Sequence, residues 1–488
     1  MFTNTLRLPY TDALKLYDGL RGNGASCLFE SSAASDKSSR MSLIGIDPLI
    51  EFTGQTDQLS VRLIEQRGEP FFDFIQTEFR EFIQTEDSTQ LQLHIPKIPF
   101  YGPESQRLER QNIAQPLRAL LNAFKTDEKN FMGLYGAFAY QFVYLFEDIP
   151  AAKPGNSPDF HLFLYDTVLL FNHLTHDLSL YCTRSTQAEA EHAVKSISQR
   201  IKEAQPAVEK QAEIGPFFSS PNDDQFQKNI AKGIELCYAG ELLEIVLSRQ
   251  LSAEVSGDML PLYSRYKQVN PSPYMFYFDF GNELLLGASP ELMLRYEDGR
   301  AVLRPISGSV RRSENPIEDH RLMMELLNSP KENSELDMLI DLGRNDLARI
   351  CKPGIQIDAY RIIEKYSHVT HTVAQVSGEL DGSYTGFDAL IASLNAGTLT
   401  GAPKLAAMNY IEQIEEHHRG YYGGSIGWLH FNGELNTAIT IRTAHVKDGL
   451  LNFCTGATIL YESTPENELK ETRIKAAAFE QAMAKFQS

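Results

Sequence analysis

Two stretches of the first third, residues 27–52 and 158–183, carry apolar and β-branched runs interrupted by Asp-Pro, Asn-His and His-Asp steps. Runs of this kind bounded by turn formers predict antiparallel strands, so the first third reads as mostly sheet. Over 187–211 the pattern changes to QAEAEHAVKSISQRIKEAQPAVEKQ, where helix formers carry apolar residues three and four apart and predict a helix. The segment near 212–224, with EIGPFFSSPNDD, concentrates Gly, Pro, Ser and Asp and is the strongest internal boundary. Beyond it the pattern predicts a helix over 225–239, strands at QLSAEVS, YMFYFDF, ELLLGAS and ELMLRYE, helices over 317–347, then alternating elements up to a C-terminal helix. No internal repeat is present, which sets aside solenoids and propellers. The expected architecture is α/β or α+β, organised as a β-rich region 1–211, a linker 212–224 and a region 225–488 that carries the chemistry.

Composition narrows the partners. A chain of 488 residues that is 42% hydrophobic and 22% charged has the balance of a folded globular protein with room for a deep site. Its 64 acidic against 45 basic residues give a formal charge of −19, which repels a nucleic-acid backbone or an anionic membrane, so neither is an expected partner. An anionic substrate would need Arg, Lys, backbone N–H groups or a bound cation to overcome that excess locally. The five cysteines (Cys27, Cys182, Cys237, Cys351, Cys454) are scattered and never form CxxC, the usage of a reducing compartment. The opening residues lack a basic segment followed by an apolar run, and no stretch approaches eighteen uninterrupted apolar residues. A cytoplasmic location is the expectation.

Generic signatures are missing: there is no GxxxxGK[ST] loop, no strand-linked GxGxxG and no HExxH, and neither GASPE nor GTLTGAP is a GxSxG elbow. His368 and His371 of YSHVTH are too weak a pair to predict a metal. Two pairs of glutamates stand out, Glu332 with Glu335 and Glu468 with Glu471, each at i, i+3 and so on one face of a predicted helix. Facing helices would offer four carboxylates to a hard, oxygen-seeking cation such as Mg²⁺, although exposed glutamates are the ordinary case on helices. Lys331, Arg344 and Asn345 beside the first pair and Lys475 one turn after the second favour the site, because such groups can hold a carboxylate substrate against the metal.

Seven motifs in order, PISGS, ELLNSPKENSELDMLIDLGRNDLARI, YSHVTHTV, NAGTLTGAPKLAAMNYIE, RGYYGGSIGW, AITIRTA and ETRIKA, resemble the chorismate-utilising enzymes across 225–488, and CLFESS, SRMSLIGIDP and FMGLYGAFAYQFVYLFEDIP extend a looser likeness into the first third. The resemblance implies two packed β-sheets flanked by helices in one body, and an Mg²⁺- and ammonia-using enzyme of the anthranilate synthase large-subunit type. It implies Glu335 and Glu471 as metal ligands with Glu332 and Glu468 behind them. It also implies Tyr422, Arg442, Gly456, Ala457, Thr458 and Lys475 as substrate-binding, Thr398 as a ring-side contact, and His371 and Glu291 as acid/base groups. Leu28, Glu30, Ser31, Pro271, Tyr274 and Met275, in LFES and NPSPYMF, resemble a tryptophan-feedback site. The chain departs from the pattern at Glu244 where Gln is usual, Ser307 where Ala is usual, Leu336 where His commonly follows the glutamate, and Thr458 where Gly is common. Relatives that make aminodeoxychorismate often carry a nucleophilic Lys at the position of Ser307, and isochorismate-forming relatives a water-activating Lys at that of Glu244. These absences favour anthranilate, with aminodeoxyisochorismate or aminodeoxychorismate as alternative products and an amino-acid sensor on the same fold as the non-enzyme alternative. With no cysteine in a GxCxG context, ammonia is expected from a separate glutamine amidotransferase subunit.

Overall fold

The computed structural model describes residues 1–22, 24–31, 41–153, 157–205, 212–366 and 369–486. Among the described residues two sheets of thirteen strands each form its centre, and every strand pairing within them is antiparallel. In the first sheet the order runs from Phe2–Leu8 through Asp177–Arg184, Thr167–Asn172, Met41–Gly45, Ser26–Glu30, Tyr274–Asp279, Glu283–Ser289, Thr443–Lys447 and Leu450–Ile459 to Glu244–Ser256. In the second it runs from Ile306–Arg311 through Val369–Glu379, Arg300–Leu303, Leu292–Glu297, Leu435–Ile439, Ser425–His430, Gly133–Phe138, Phe160–Tyr165 and Ile50–Gln55 onward to Ile83–Glu86. In each sheet the strands from before the 212–224 segment form one half and those from it onward the other, joined where Ser26–Glu30 pairs with Tyr274–Asp279 and where Gly133–Phe138 pairs with Ser425–His430, so both regions build one body, as the resemblance implied. That segment itself carries two short strands, Glu213–Ile214 and Phe218–Ser220, both paired with Glu244–Ser256.

Period-two alternation explains the layering. On Tyr274–Asp279, Phe276 and Phe278 enter a layer between the sheets with Tyr135, Phe163, Tyr165 and Tyr421, whereas Met275 and Tyr277 face the opposite way. That opposite face is covered by the helices Ala13–Leu20, Gln187–Glu203, Leu260–Val269 and Pro465–Met483. The outer face of the second sheet is covered by Glu69–Glu78, Gln115–Ala123, Pro330–Ala348, Gly386–Ser393 and Lys404–Ile414. Strands buried on both faces read as continuous apolar runs, and each large side chain so buried contributes roughly 1.5–3 kcal/mol, enough to fix register over long chain separations. The expected mixed fold, two packed sheets with helices outside, is what forms. The expected helix forms over Gln187–Glu203, but the first third is less purely sheet than its pattern predicted, since its described residues also hold the helices Ala13–Leu20, Glu69–Glu78 and Gln115–Ala123. Among the described residues no helix is long and apolar enough to cross a membrane.

Both glutamate-bearing helices have strong starts. Ser329 caps Pro330–Ala348, its hydroxyl accepting from the Glu332 N–H at 3.3 Å, and Thr464 caps Pro465–Met483, accepting from the Asn467 N–H at 3.4 Å, with Pro at the first position of each. The acidic pairs therefore fall in the first two turns, where the helix dipole favours negative charge.

Candidate active site

The chain passes from one sheet to the other at two neighbouring places, between Ser289 and Leu292 and between Ile439 and Thr443. Glu291 lies in the first crossing and Arg442 in the second. The two are stitched together: the Ile439 N–H donates to the Glu291 carbonyl at 3.1 Å, the Ala288 N–H to the Arg442 carbonyl at 3.1 Å, and the Ser289 hydroxyl to the Ile439 carbonyl at 2.7 Å. Arg442 adopts φ +52°, a left-handed conformation that costs a side-chain-bearing residue energy and persists where the surroundings enforce it.

Beside these crossings opens a cavity of about 420 Å³. Glu291, Thr398, His371, Tyr422, Arg442, Gly456, Thr458, Lys475 and all four glutamates, Glu332, Glu335, Glu468 and Glu471, line it, together with Lys331 and Ser307. Ala457 does not line it, because its Cβ points to the other face of a strand whose neighbours Gly456 and Thr458 face inward. Arg344 and Asn345 do not line it either; both are exposed, and Arg344 pairs with Asp341 at 2.8 Å. Leu336 is fully buried in the helix-covered core, and His368 lies outside the described residues.

Local partners set the chemistry. Thr398 donates to the Glu291 carboxyl at 3.1 Å, yet burial outweighs that bond, the Ile306 N–H and the nearby Lys475, and pushes the carboxyl up to about 8. His371 Nδ1 lies 2.8 Å from the Ser309 hydroxyl and 3.2 Å from the Gly308 carbonyl, and burial, reinforced by Arg442, pulls the imidazole down to about 4. At neutral pH Glu291 thus holds a proton while His371 is neutral. Ser309 was not singled out from sequence; its signal is the register, which pairs it directly with His371.

On the opposite wall Lys475 donates to the Gly456 carbonyl at 2.8 Å and stands 3.7 Å from Glu471. Burial raises the Glu335 carboxyl, and its neighbour Glu332 raises it further; Glu468 is likewise raised by burial. Tyr422 is backed by Arg419, whose guanidinium lies 5.8 Å from its ring and is itself held by Glu415 at 2.6 Å, the Leu399 carbonyl at 2.7 Å and the Val246 carbonyl at 2.8 Å. A Cβ on Gly456 would stand 2.6 Å from the Tyr422 hydroxyl and 3.1 Å from the Leu247 carbonyl, so only glycine leaves that wall undisturbed. The oxygen-only donor set of Glu332, Glu335, Glu468 and Glu471 fits a hard divalent cation, and the raised carboxyls are what mutual repulsion and burial produce before a cation arrives. Among the described residues no three acidic, His or Cys side chains are already gathered tightly enough to enclose one.

A second cavity, of about 240 Å³, lies between the sheets. Glu30, Ser31, Tyr274 and Met275 line it, with Phe131, Trp428 and Arg295. Leu28 and Pro271 do not: Leu28 is buried under the helices on the other face of its strand, and Pro271 lies in the connection following Leu260–Val269. The Glu30 carboxylate is held by Lys267 at 2.6 Å and Tyr263 at 2.8 Å.

The fold and cavity define a class, and comparison with known proteins agrees with it. Residues 63–481 match the model of the chorismate binding enzymes, and the chain belongs to that family. It is 36% identical to anthranilate synthase component 1 of Aquifex aeolicus over 72% of this chain and 74% of the relative, and 32% identical to anthranilate synthase component 1 of Vibrio cholerae over 96% and 94%. The crystal structure of anthranilate synthase component I from Streptococcus pneumoniae superposes with a TM-score of 0.71 at 26% identity, covering 90% of this chain and 92% of that one. The protein is an enzyme that acts on chorismate.

Proposed function

We propose that the chain aminates chorismate with ammonia, in the presence of Mg²⁺, and eliminates pyruvate to give anthranilate. The observation that carries this reading is one cavity holding a protonated carboxyl, Glu291, opposite cationic groups and two glutamate pairs. Chorismate is a dianion, and Arg442, Lys475 and Lys331 give this strongly acidic chain a local means of holding two carboxylates. Glu335 and Glu471 would hold Mg²⁺, with Glu332 and Glu468 behind them; the ion would supply Lewis acidity at the ring carboxylate. Departure of the C4 hydroxyl needs a proton, and Glu291 carries one at neutral pH where His371 does not. Thr398 orients that carboxyl, while Tyr422 and the Gly456 backbone shape the bed for the enolpyruvyl carboxylate.

The nitrogen has to come from elsewhere. Burial holds the Cys182, Cys237 and Cys351 thiols at about 11 and Cys454 at about 12, none of them the activated thiolate that glutamine hydrolysis requires. The component 1 names of the relatives fit a separate glutamine amidotransferase subunit. Chromatography after incubating the protein with chorismate, MgCl₂ and ammonium chloride tests the reading: fluorescent anthranilate is expected, whereas aminodeoxyisochorismate or aminodeoxychorismate as the end product would assign the alternative branch, and untouched chorismate would refute amination.

Gly456→Ala is expected to raise the KM for chorismate by about tenfold, since the new methyl displaces Tyr422 or the strand. Steady-state kinetics with unchanged KM would show that Tyr422 plays no part in the bed. We also infer that the second cavity takes tryptophan as a feedback inhibitor, its aromatic lining suiting an indole. Inhibition at millimolar tryptophan is the expected result, and full activity at that concentration would dismiss it.

A further inference from the structure

The motif PISGS brings Gly308 and Ser309 to the catalytic cavity as well as Ser307. Ile306–Arg311 pairs with Val369–Glu379 in a register where Ser307 opposes Thr372 and Ser309 opposes His371, which leaves Gly308 as one extra residue on its strand. An extra residue of this kind bulges the strand and re-aims the groups beside it. Gly308 takes φ +71°, and a Cβ there would stand 2.6 Å from Leu326 Cδ1 and 2.7 Å from a Glu332 carboxylate oxygen, so the bulge requires glycine.

The bulge places two oxygens at one corner of the His371 ring. Nδ1 lies 2.8 Å from the Ser309 hydroxyl and 3.2 Å from the Gly308 carbonyl. The Tyr366 ring packs edge-on against the imidazole at 5.5 Å and 65°, and the Tyr366 hydroxyl donates to Glu364 at 2.8 Å, so the plane of the imidazole is set from a second side. A carbonyl oxygen can only accept. The single proton of the neutral imidazole therefore sits on Nδ1, shared between the Gly308 carbonyl and the Ser309 oxygen, and Nε2 keeps its lone pair. Both hydrogen bonds that the ring makes among the described residues are on Nδ1, which leaves Nε2 for whatever fills the cavity that the ring lines.

We propose that Ser309 is a positioning residue that fixes His371 as a hydrogen-bond acceptor for the C4 hydroxyl of chorismate; this rests on the amination reading above. The chorismate dianion carries one O–H group and no N–H, so that hydroxyl is the one donor with which an imidazole lone pair can pair. With its hydrogen held by Nε2, the hydroxyl turns its own lone pairs away from His371 and toward the proton of Glu291. Ammonia forms the C2–N bond, the two ring double bonds each shift one bond toward C4, and the C4–O bond breaks. The oxygen takes the Glu291 proton and leaves as water with its original hydrogen; the nitrogen gives its surplus proton to solvent and Glu291 regains one, so charge and atoms balance. An imidazole in the other tautomer would donate to the same oxygen and compete with Glu291 for its lone pairs.

Two measurements on the purified protein test this. In the nitrogen–hydrogen correlation spectrum of protein isotopically labelled at its histidine nitrogens, with the His371 signals assigned by their loss in His371→Ala, the Nδ1–H tautomer is expected; an Nε2–H tautomer in the unaltered protein overturns the proposal. In steady-state kinetics with chorismate, MgCl₂ and ammonium chloride, Ser309→Ala should lower kcat by about tenfold while the KM for chorismate stays within about twofold, and Ser309→Thr, which keeps the hydroxyl, should stay within about threefold of the unaltered rate. In the His371→Ala background the change of Ser309 to Ala should have no further effect, because the serine acts through the imidazole. An unchanged kcat in Ser309→Ala, or a loss of equal size with and without His371, overturns the positioning role. Should Ser309→Ala fail to fold, the spectrum of the unaltered protein decides alone. An unaltered protein that yields no aminated product overturns the amination reading itself, an outcome distinct from amination by a protein whose His371 holds the other tautomer.

Discussion

Glu335→Gln and Glu471→Gln are each expected to lower product formation from chorismate by on the order of a thousandfold, about 4 kcal/mol in the transition state, whereas Glu332→Gln and Glu468→Gln should cost only about 10- to 100-fold. The difference follows from the assignment of the first two as direct ligands of the cation and the other two as groups behind it. None of these changes should weaken the fold. Burial and Glu332 raise the Glu335 carboxyl above its ordinary range, so its ionised form opposes folding at neutral pH, and an uncharged amide there leaves the melting temperature unchanged or higher. Equal losses at all four positions, or a loss that tracks unfolding, would contradict the assignment.

Glu291→Gln should lower kcat by a factor of about 10² to 10⁴ with little change in the KM for chorismate, because the amide keeps the size of the group and lacks the transferable proton. The pH dependence carries the sign. Burial raises this carboxyl to about 8, so the proton donor is present below that pH and lost as pH rises through it. The rate is therefore expected to be level in the neutral range and to fall tenfold per unit above about 8, and the residual rate of the Gln variant should lose that limb. A profile falling instead below about pH 6 would point to a group that must be unprotonated, and would remove Glu291 from the role of acid.

Much of the site was legible along the chain because its parts are local. The i, i+3 spacing of the glutamate pairs becomes shared helical faces once Ser329 and Thr464 cap their helices, and both pairs do line one cavity. What could not be read was anything decided by register between distant strands. Glu291 and Arg442 meet because the chain changes sheets twice at one place, and no local pattern announces that. Facing errors have equally plain causes. Arg344 is nine residues beyond Glu335, about half a turn round the helix at 3.6 residues per turn, and so points to solvent. Leu28 is one residue out of phase with Phe29, which faces the cavity between the sheets, and Ala457 is one residue out of phase with Gly456 and Thr458. The 212–224 segment looked like a bare linker because its Gly, Pro and Ser content masks two strands too short to show a period.

The central claim is that four carboxylates and one anionic substrate meet through a shared cation, and its most direct test is the affinity for chorismate measured calorimetrically without ammonium. Affinity should rise at least about tenfold when MgCl₂ is added, and by linkage chorismate should tighten Mg²⁺ binding equally; both effects should vanish in the Glu335→Gln, Glu471→Gln double variant. Chorismate binding that is indifferent to Mg²⁺ in the unaltered protein would contradict the account.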